Sequence, residues 1–296
     1  MIISQRSLRT PTLPTQRDAE RIRALEQEGV KVWKLQQGDP QFPTPEVIYT
    51  ELQAYQEKTM AYPGAAGLPD HVEAWKSSYA RQGIDVTGLQ VIPTCGAAEA
   101  IHMALFTVTD PGDEVLVFEP IYSGFSVLAA MLGCTFVPIR TVFQNGYAFP
   151  DQATWDEKVT DRTKAIILIN PDNPTGRVVS HEEMERVAEF ARAHDLVLIV
   201  DETYRELYMK ETVVPPCVLT LEAYRDRLIL IDSLSKRIGV PGMRLGAFVT
   251  YNTELKKQAL KFAMSRSGTG RIEQRVAIPL LTQGTEIVSR NHAELC

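Results

Sequence analysis

Six short apolar runs constrain the fold of this chain more than any other feature: Val115–Phe118, Phe136–Ile139, Ala165–Ile169, Leu196–Val200, Leu228–Ile231 and Leu245–Val249. Each has the length of a strand and is too short for a helix. None alternates with polar residues, so each is expected to be buried on both faces, as strands of a parallel sheet are. Helical patterns lie between several of them. The clearest is Ser180–His194, which opens with a capping box formed by Ser180 and Glu183. Strands alternating with helices predict an α/β architecture: three layers, α/β/α, around a mainly parallel sheet.

The front of the chain reads differently. Residues 1 to about 15 carry Pro11 and Pro14 without clear periodicity and suggest an extended arm. Ala19, Ile22 and Leu25 among charged neighbours predict an amphipathic helix over Gln16–Gln27, ended by Gly29. Val30–Leu35 reads as a short strand, broken by Gln37-Gly38-Asp39-Pro40. Pro43 and Pro45 introduce a helix over Glu46–Gln56, and another helix runs through Trp75 and Tyr79. Gln90–Pro93 is a further short strand that delivers Gly96-Ala97-Ala98 to the start of a helix. Free backbone N–H groups at such a start outline an anion site.

Composition removes several function classes. With 31 basic against 37 acidic residues the net charge is −6, and there is no basic run, which argues against nucleic acid as a partner. No apolar segment is long enough to span a bilayer. The cysteines Cys95, Cys134, Cys217 and Cys296 are scattered, which together with the absence of a signal peptide points to a cytoplasmic setting. The five histidines show no metal-ligand spacing, so no metal is expected.

Open α/β sheets bind ligands beyond the carboxyl ends of their strands, and the polar clusters of this chain fall at those ends. Asn170–Gly176 follows Ala165–Ile169, Asp201–Tyr204 follows Leu196–Val200, and Ser233 and Lys236 follow Leu228–Ile231. A lysine there, beside hydroxyls, glycines and Arg244, suits covalent capture of a phosphorylated carbonyl compound. For an aldehyde cofactor held by Lys236, Asp201 would keep a ring nitrogen protonated. Asn173 and Tyr204 would hydrogen-bond a ring hydroxyl, and Tyr122 would offer a face for stacking. Glu202 reads as structural.

These segments resemble fold-type I pyridoxal-phosphate enzymes of the class I/II aminotransferase family, the aspartate aminotransferase-like group. The resemblance rests on Asn170–Gly176 (Asn-Pro-x-Asn-Pro-Thr-Gly), Asp201–Tyr204 (Asp-x-x-Tyr), Ser233–Gly246 (Ser-x-Ser-Lys, then Gly-x-Arg-x-Gly) and Gly38-Asp39-Pro40, and it runs from about Gln16 to about Leu281. It implies pyridoxal 5′-phosphate as cofactor and an amino acid and a 2-oxo acid as substrates. Lys236 is then the Schiff-base lysine and proton shuttle, with Asp201 and Tyr204 completing the catalytic set. The phosphate falls to Gly96, Ala97, Ala98, Ser233 and Arg244. Tyr62 would reach the phosphate of a neighbouring subunit, which implies a homodimer, and Gly38 lies near the substrate carboxylate.

The resemblance also divides the chain into an N-terminal arm with part of a small domain (1–44), a cofactor-binding large domain (45–284) and the start of an interdomain helix (285–296). The small domain is therefore expected to be incomplete. No arginine matches the one that grips the substrate carboxylate, and weak transamination is expected. Arg266, Arg271 and Arg275 are read as surface residues. Within the same fold a lyase, decarboxylase or cyclase remains the alternative. A nucleotide hydrolase would need a GxxxxGK[ST] loop, which the sequence lacks. A DNA-binding regulator would need a basic or helix-turn-helix segment, and the first 40 residues show neither.

Overall fold

In the computed structural model, which describes residues 2–35, 38–208 and 214–295, each of the six apolar runs forms a strand. The strands are β1 (Gln90–Cys95), β2 (Glu114–Glu119), β3 (Thr135–Arg140), β4 (Thr163–Ile169), β5 (Val197–Asp201), β6 (Leu228–Ser233) and β7 (Leu245–Thr250). They form one sheet in the order β1-β7-β6-β5-β4-β2-β3. Strand β7 runs antiparallel to both its neighbours, and the other pairings are parallel. Pro93 and Pro138, which cannot donate to a ladder, sit in the edge strands β1 and β3, where proline is tolerated.

Successive residues of each central strand face opposite layers. Leu116, Ile166, Leu168, Leu198, Val200, Leu228 and Leu230 join one apolar cluster; Val115, Val117, Ala165, Ile167, Ile199, Ile229 and Ile231 join the other. The first cluster is closed by α4 (Pro69–Ala80), α8 (His181–Ala193) and α10 (Arg271–Thr282), through Trp75, Phe190 and Leu280 among others. The second is closed by α5 (Gly96–Val108), α6 (Ser123–Leu132) and α9 (Thr253–Ser265), through Met103, Phe125 and Ala263. The remaining helices are α1 (Gln5–Arg9), α2 (Pro14–Gln27), α3 (Glu46–Ala54), α7 (Gln152–Asp156) and α11 (Gly284–Leu295). The expected three-layer α/β/α arrangement with a mainly parallel sheet is what the chain forms.

The capping box of α8 is present in both directions. The Glu183 N–H donates to Ser180 Oγ at 3.2 Å, and the Ser180 N–H donates to Glu183 Oε2 at 3.1 Å. One expected element is absent. Residues 30–35 pair with no strand, and Trp33 and Leu35 are 74% and 92% exposed. An apolar run becomes a strand only where a ladder partner lies beside it, and this segment lies outside the sheet.

Candidate active site

The carboxyl ends of β5 and β6 are adjacent because Asp201 is paired in register with Ile231. The turn after β6 carries Lys236, half-buried between the buried Ser235 and Arg237. The Lys236 amine donates to the Gly38 carbonyl and lies 5.8 Å from the ring centre of Tyr204. Burial lowers the pKa of this amine, Asp39 opposes the shift and Arg244 adds to it. A depressed amine is a better nucleophile near neutral pH.

Asp201 ends β5 and is almost fully buried. Its Oδ1 accepts from the Thr203 N–H at 2.9 Å and from the Thr203 hydroxyl at 2.6 Å. Burial pushes the carboxyl up to about 6; the two Thr203 bonds oppose this, and Asp232 adds to it. The Tyr204 and Tyr122 phenols are both raised, chiefly by burial and then by the Asp201 charge. The Tyr204 hydroxyl lies 3.2 Å from where a Cβ on Gly38 would sit. Asn173 and Tyr204 line an open cleft of about 410 Å³, together with Pro171, Pro174, Leu207 and Tyr208. The site thus sets an amine and a buried acid at the ends of neighbouring strands, with the Tyr204 ring near the amine.

At its other end lies a cradle for an anion. Helix α5 starts at Gly96, and its N-cap residue Cys95 makes no side-chain cap bond. The Cys95 N–H is taken by Glu99 Oε2 at 2.6 Å, and Glu99 in turn pairs with Arg266 at 2.7 Å. That fixes the turn at the helix start, where the first N–H groups have no partner within the helix and could serve an anion. Arg244 closes the cradle, donating to Pro241 O at 2.9 Å and Cys95 O at 3.2 Å. A Cβ on Gly96 would lie 2.4 Å from Arg244 Nη2, and one on Gly246 would lie 2.6 Å from the Gly96 carbonyl carbon. Only glycine fits either position.

The geometry therefore gathers Lys236, Gly38, Asp201, Tyr204, Tyr122, Arg244 and Gly96, with Ala97 and Ala98 on the same turn and Asn173 bordering through Tyr204. Two of the expected residues behave differently. Ser233 is fully buried; its hydroxyl donates to Leu245 O at 3.0 Å and lies 2.8 Å from Ser235 Oγ. Tyr62 is 84% exposed and turns its ring to solvent. Arg266, Arg271 and Arg275 are engaged in ion pairs, the last two with Glu57 at 2.6 and 3.1 Å. Glu202 is buried against Arg205 at 2.7 Å and accepts from the Val218 N–H at 2.5 Å, a structural placement. The contribution of Glu99 was not read from the sequence, although its place in the first turn of a helix is where a capping carboxylate belongs. Among the described residues no cluster of His, Cys, Asp and Glu could hold a metal ion, and no helix is long and apolar enough to cross a membrane.

The sheet and its flanking helices define the fold of a fold-type I aminotransferase. The chain superposes on a solved aspartate aminotransferase variant from Thermus thermophilus with a TM-score of 0.90 at 25% identity, covering 99% of this chain and 77% of that one. It superposes on alanine aminotransferase from Pyrococcus furiosus with a TM-score of 0.89 at 28% identity, covering 99% and 76%. Aspartate/prephenate aminotransferase of T. thermophilus is 30% identical over 261 residues, 87% of this chain and 66% of that enzyme. Aspartate aminotransferase of Sulfolobus acidocaldarius is 29% identical over 237 residues, 79% and 58%. Residues 30–285 match the family described as Aminotransferase class I and II, and the chain belongs to that family.

Proposed function

We propose that the chain is a pyridoxal 5′-phosphate-dependent aminotransferase that moves an amino group between an amino acid and a 2-oxo acid. The observation that carries this reading is the placement of Asp201 at the end of β5 and of Lys236 in the turn after the neighbouring β6, with the Tyr204 ring 5.8 Å from the amine. The residues suit the cofactor. The close approach of Gly246 and Arg244 to Gly96 sets a guanidinium beside the start of α5, where a phosphate would be bound. The raised Asp201 carboxyl is an acid that a protonated ring nitrogen would ionise and hold.

When bound, the pyridoxal ring acts as an electron sink for the bond broken at the amino acid's α-carbon. The chain's own residues do the rest. Asp201 would hold the proton on the ring nitrogen, while Asn173 and Tyr204 would hydrogen-bond the ring hydroxyl and Tyr122 would cover the ring. Arg244 and the N–H groups of Gly96, Ala97 and Ala98 would bind the phosphate, and Ser233 braces the turn that carries Lys236 through its bonds to Ser235 and Leu245 O. The Lys236 amine would be the base that takes the α-proton and returns it, and Gly38 would lie near the substrate carboxylate.

We take residues 45–284 as the cofactor-binding unit, the cytoplasm as its setting, and a homodimer as its assembly, with the exposed Tyr62 completing the phosphate site of a second copy. The activities of the relatives make aspartate and alanine the first donors to test. Purified protein mixed with pyridoxal phosphate should turn yellow, and a reactive amino acid should bleach the visible band. Protein that stays colourless would overturn the reading.

A further inference from the structure

Lys236 is followed by an arginine buried to 3% exposure. A guanidinium taken out of water at that depth carries a desolvation penalty of several kcal/mol, which an apolar residue would avoid. Here it is held from several sides. Arg237 pairs with Glu206 and lies 3.4 Å from Asp232 Oδ2. Asp232 is the penultimate residue of β6; it accepts from the Tyr79 hydroxyl at 2.8 Å and from the Ser233 N–H at 2.6 Å. The Arg237 carbonyl accepts from Asn291 Nδ2 of α11 at 2.9 Å, and the neighbouring His292 meets the Glu206 carbonyl at 2.7 Å. The turn that carries the amine is thus clamped on both sides of Ser235-Lys236, to α4 through Tyr79 and to α11 through Asn291.

We propose that Arg237 is a positioning residue, which with Asp232 and Glu206 fixes the turn so that the Lys236 amine meets a bound aldehyde in reactive geometry. This rests on the cofactor reading above. The step concerned is the condensation of the Lys236 amine with the aldehyde, forming a carbon–nitrogen double bond and releasing one water. Arg237 touches neither reactant. Its loss should leave the anion cradle intact and misplace the amine, and misplacement of about 1 Å slows such a step by on the order of 100-fold.

The test separates capture from binding. Apo protein is mixed with pyridoxal 5′-phosphate, and the rate of appearance of the visible band is measured. In parallel, pyridoxine 5′-phosphate, which lacks the aldehyde, is titrated by calorimetry. Arg237→Met should slow capture by about 10- to 100-fold while the Kd of the analogue stays within about twofold of the unaltered chain, as expected when the phosphate cradle is untouched. Arg237→Lys, which keeps the charge, should restore part of the rate. Asp232→Asn is the second variant, should Arg237→Met fail to fold, and should show the same split. Equal loss of capture and analogue binding, or no loss of either, overturns the proposal. If the unaltered chain binds the analogue but never forms the band, the positioning role is overturned while the anion site stands. If it binds neither compound, the cofactor reading itself falls and this inference falls with it.

Discussion

Asp201 shows what the site costs the fold. Its carboxyl titrates near 6 in the folded chain against an ordinary value of 3.8. Between those two pH values the folded state holds a proton that the unfolded chain has lost, so stability falls as pH rises through that window, by up to about 3 kcal/mol. Asp201→Asn, whose amide oxygen can still accept from Thr203, should therefore raise the Tm of the apo protein at pH 8 and leave it unchanged near pH 3.5. The same variant should lose the visible cofactor band, the usual exchange of stability against function. Thermal melts at the two pH values check the first part and an absorbance titration the second. Lys236 makes the complementary case. Its lowered pKa means that, at a pH where surface lysines are still charged, it should be acetylated ahead of them in competitive labelling read by mass spectrometry. Arg244→Ala should weaken cofactor binding by on the order of 10- to 100-fold, the worth of a charge-assisted contact to phosphate, with the Kd of pyridoxine 5′-phosphate as the readout. The placement of Lys236, Asp201 and Arg244 at one edge of the sheet was legible in the sequence because Asp201 and Arg244 adjoin apolar runs and Lys236 lies in the turn that follows one. The inward engagement of Ser233 and the bracing by Glu99 were not, since both depend on which distant carbonyl or guanidinium lies within reach.

At the level of elements, propensity and pairing separate. Helix α8 announces itself through Ser180 and Glu183, and its cap forms as read. Ser180→Ala should cost about 1 kcal/mol, visible as a lower denaturation midpoint with an unchanged slope. The apolar residues at 30–35 have strand-like composition too, yet they stay unpaired, because a strand is defined by its neighbour and no local pattern names the neighbour. The contact of Gly246 with Gly96 is equally invisible in sequence, joining residues far apart in the chain through the pairing of β7 with β1. Gly246→Ala should push the α5 turn away from Arg244, costing about 1–3 kcal/mol of stability and weakening binding of pyridoxine 5′-phosphate more than an Ala at the open position Gly242 would. Comparative melts and titrations of the two variants decide it.

Across the whole molecule, the sheet fixes which parts of the chain can meet. Unbroken apolar runs foretell a sheet covered on both faces, and the two clusters that alternate along β4, β5 and β6 bear that out. Strand order was not legible, because a run of valines and isoleucines carries no address. The reversed direction of β7 was hidden for the same reason. That reversal inverts a simple rule of architecture. A forward strand hands the ligand edge whatever comes after it, as β5 does with Asp201 and β6 with Lys236. A backward strand hands over what comes before it, and so Arg244 arrives at the site ahead of Leu245. An engineer wishing to alter this pocket should therefore graft new segments upstream of β7, whereas the same insertion placed behind Thr250 would emerge on the opposite rim, out of reach of any bound ligand.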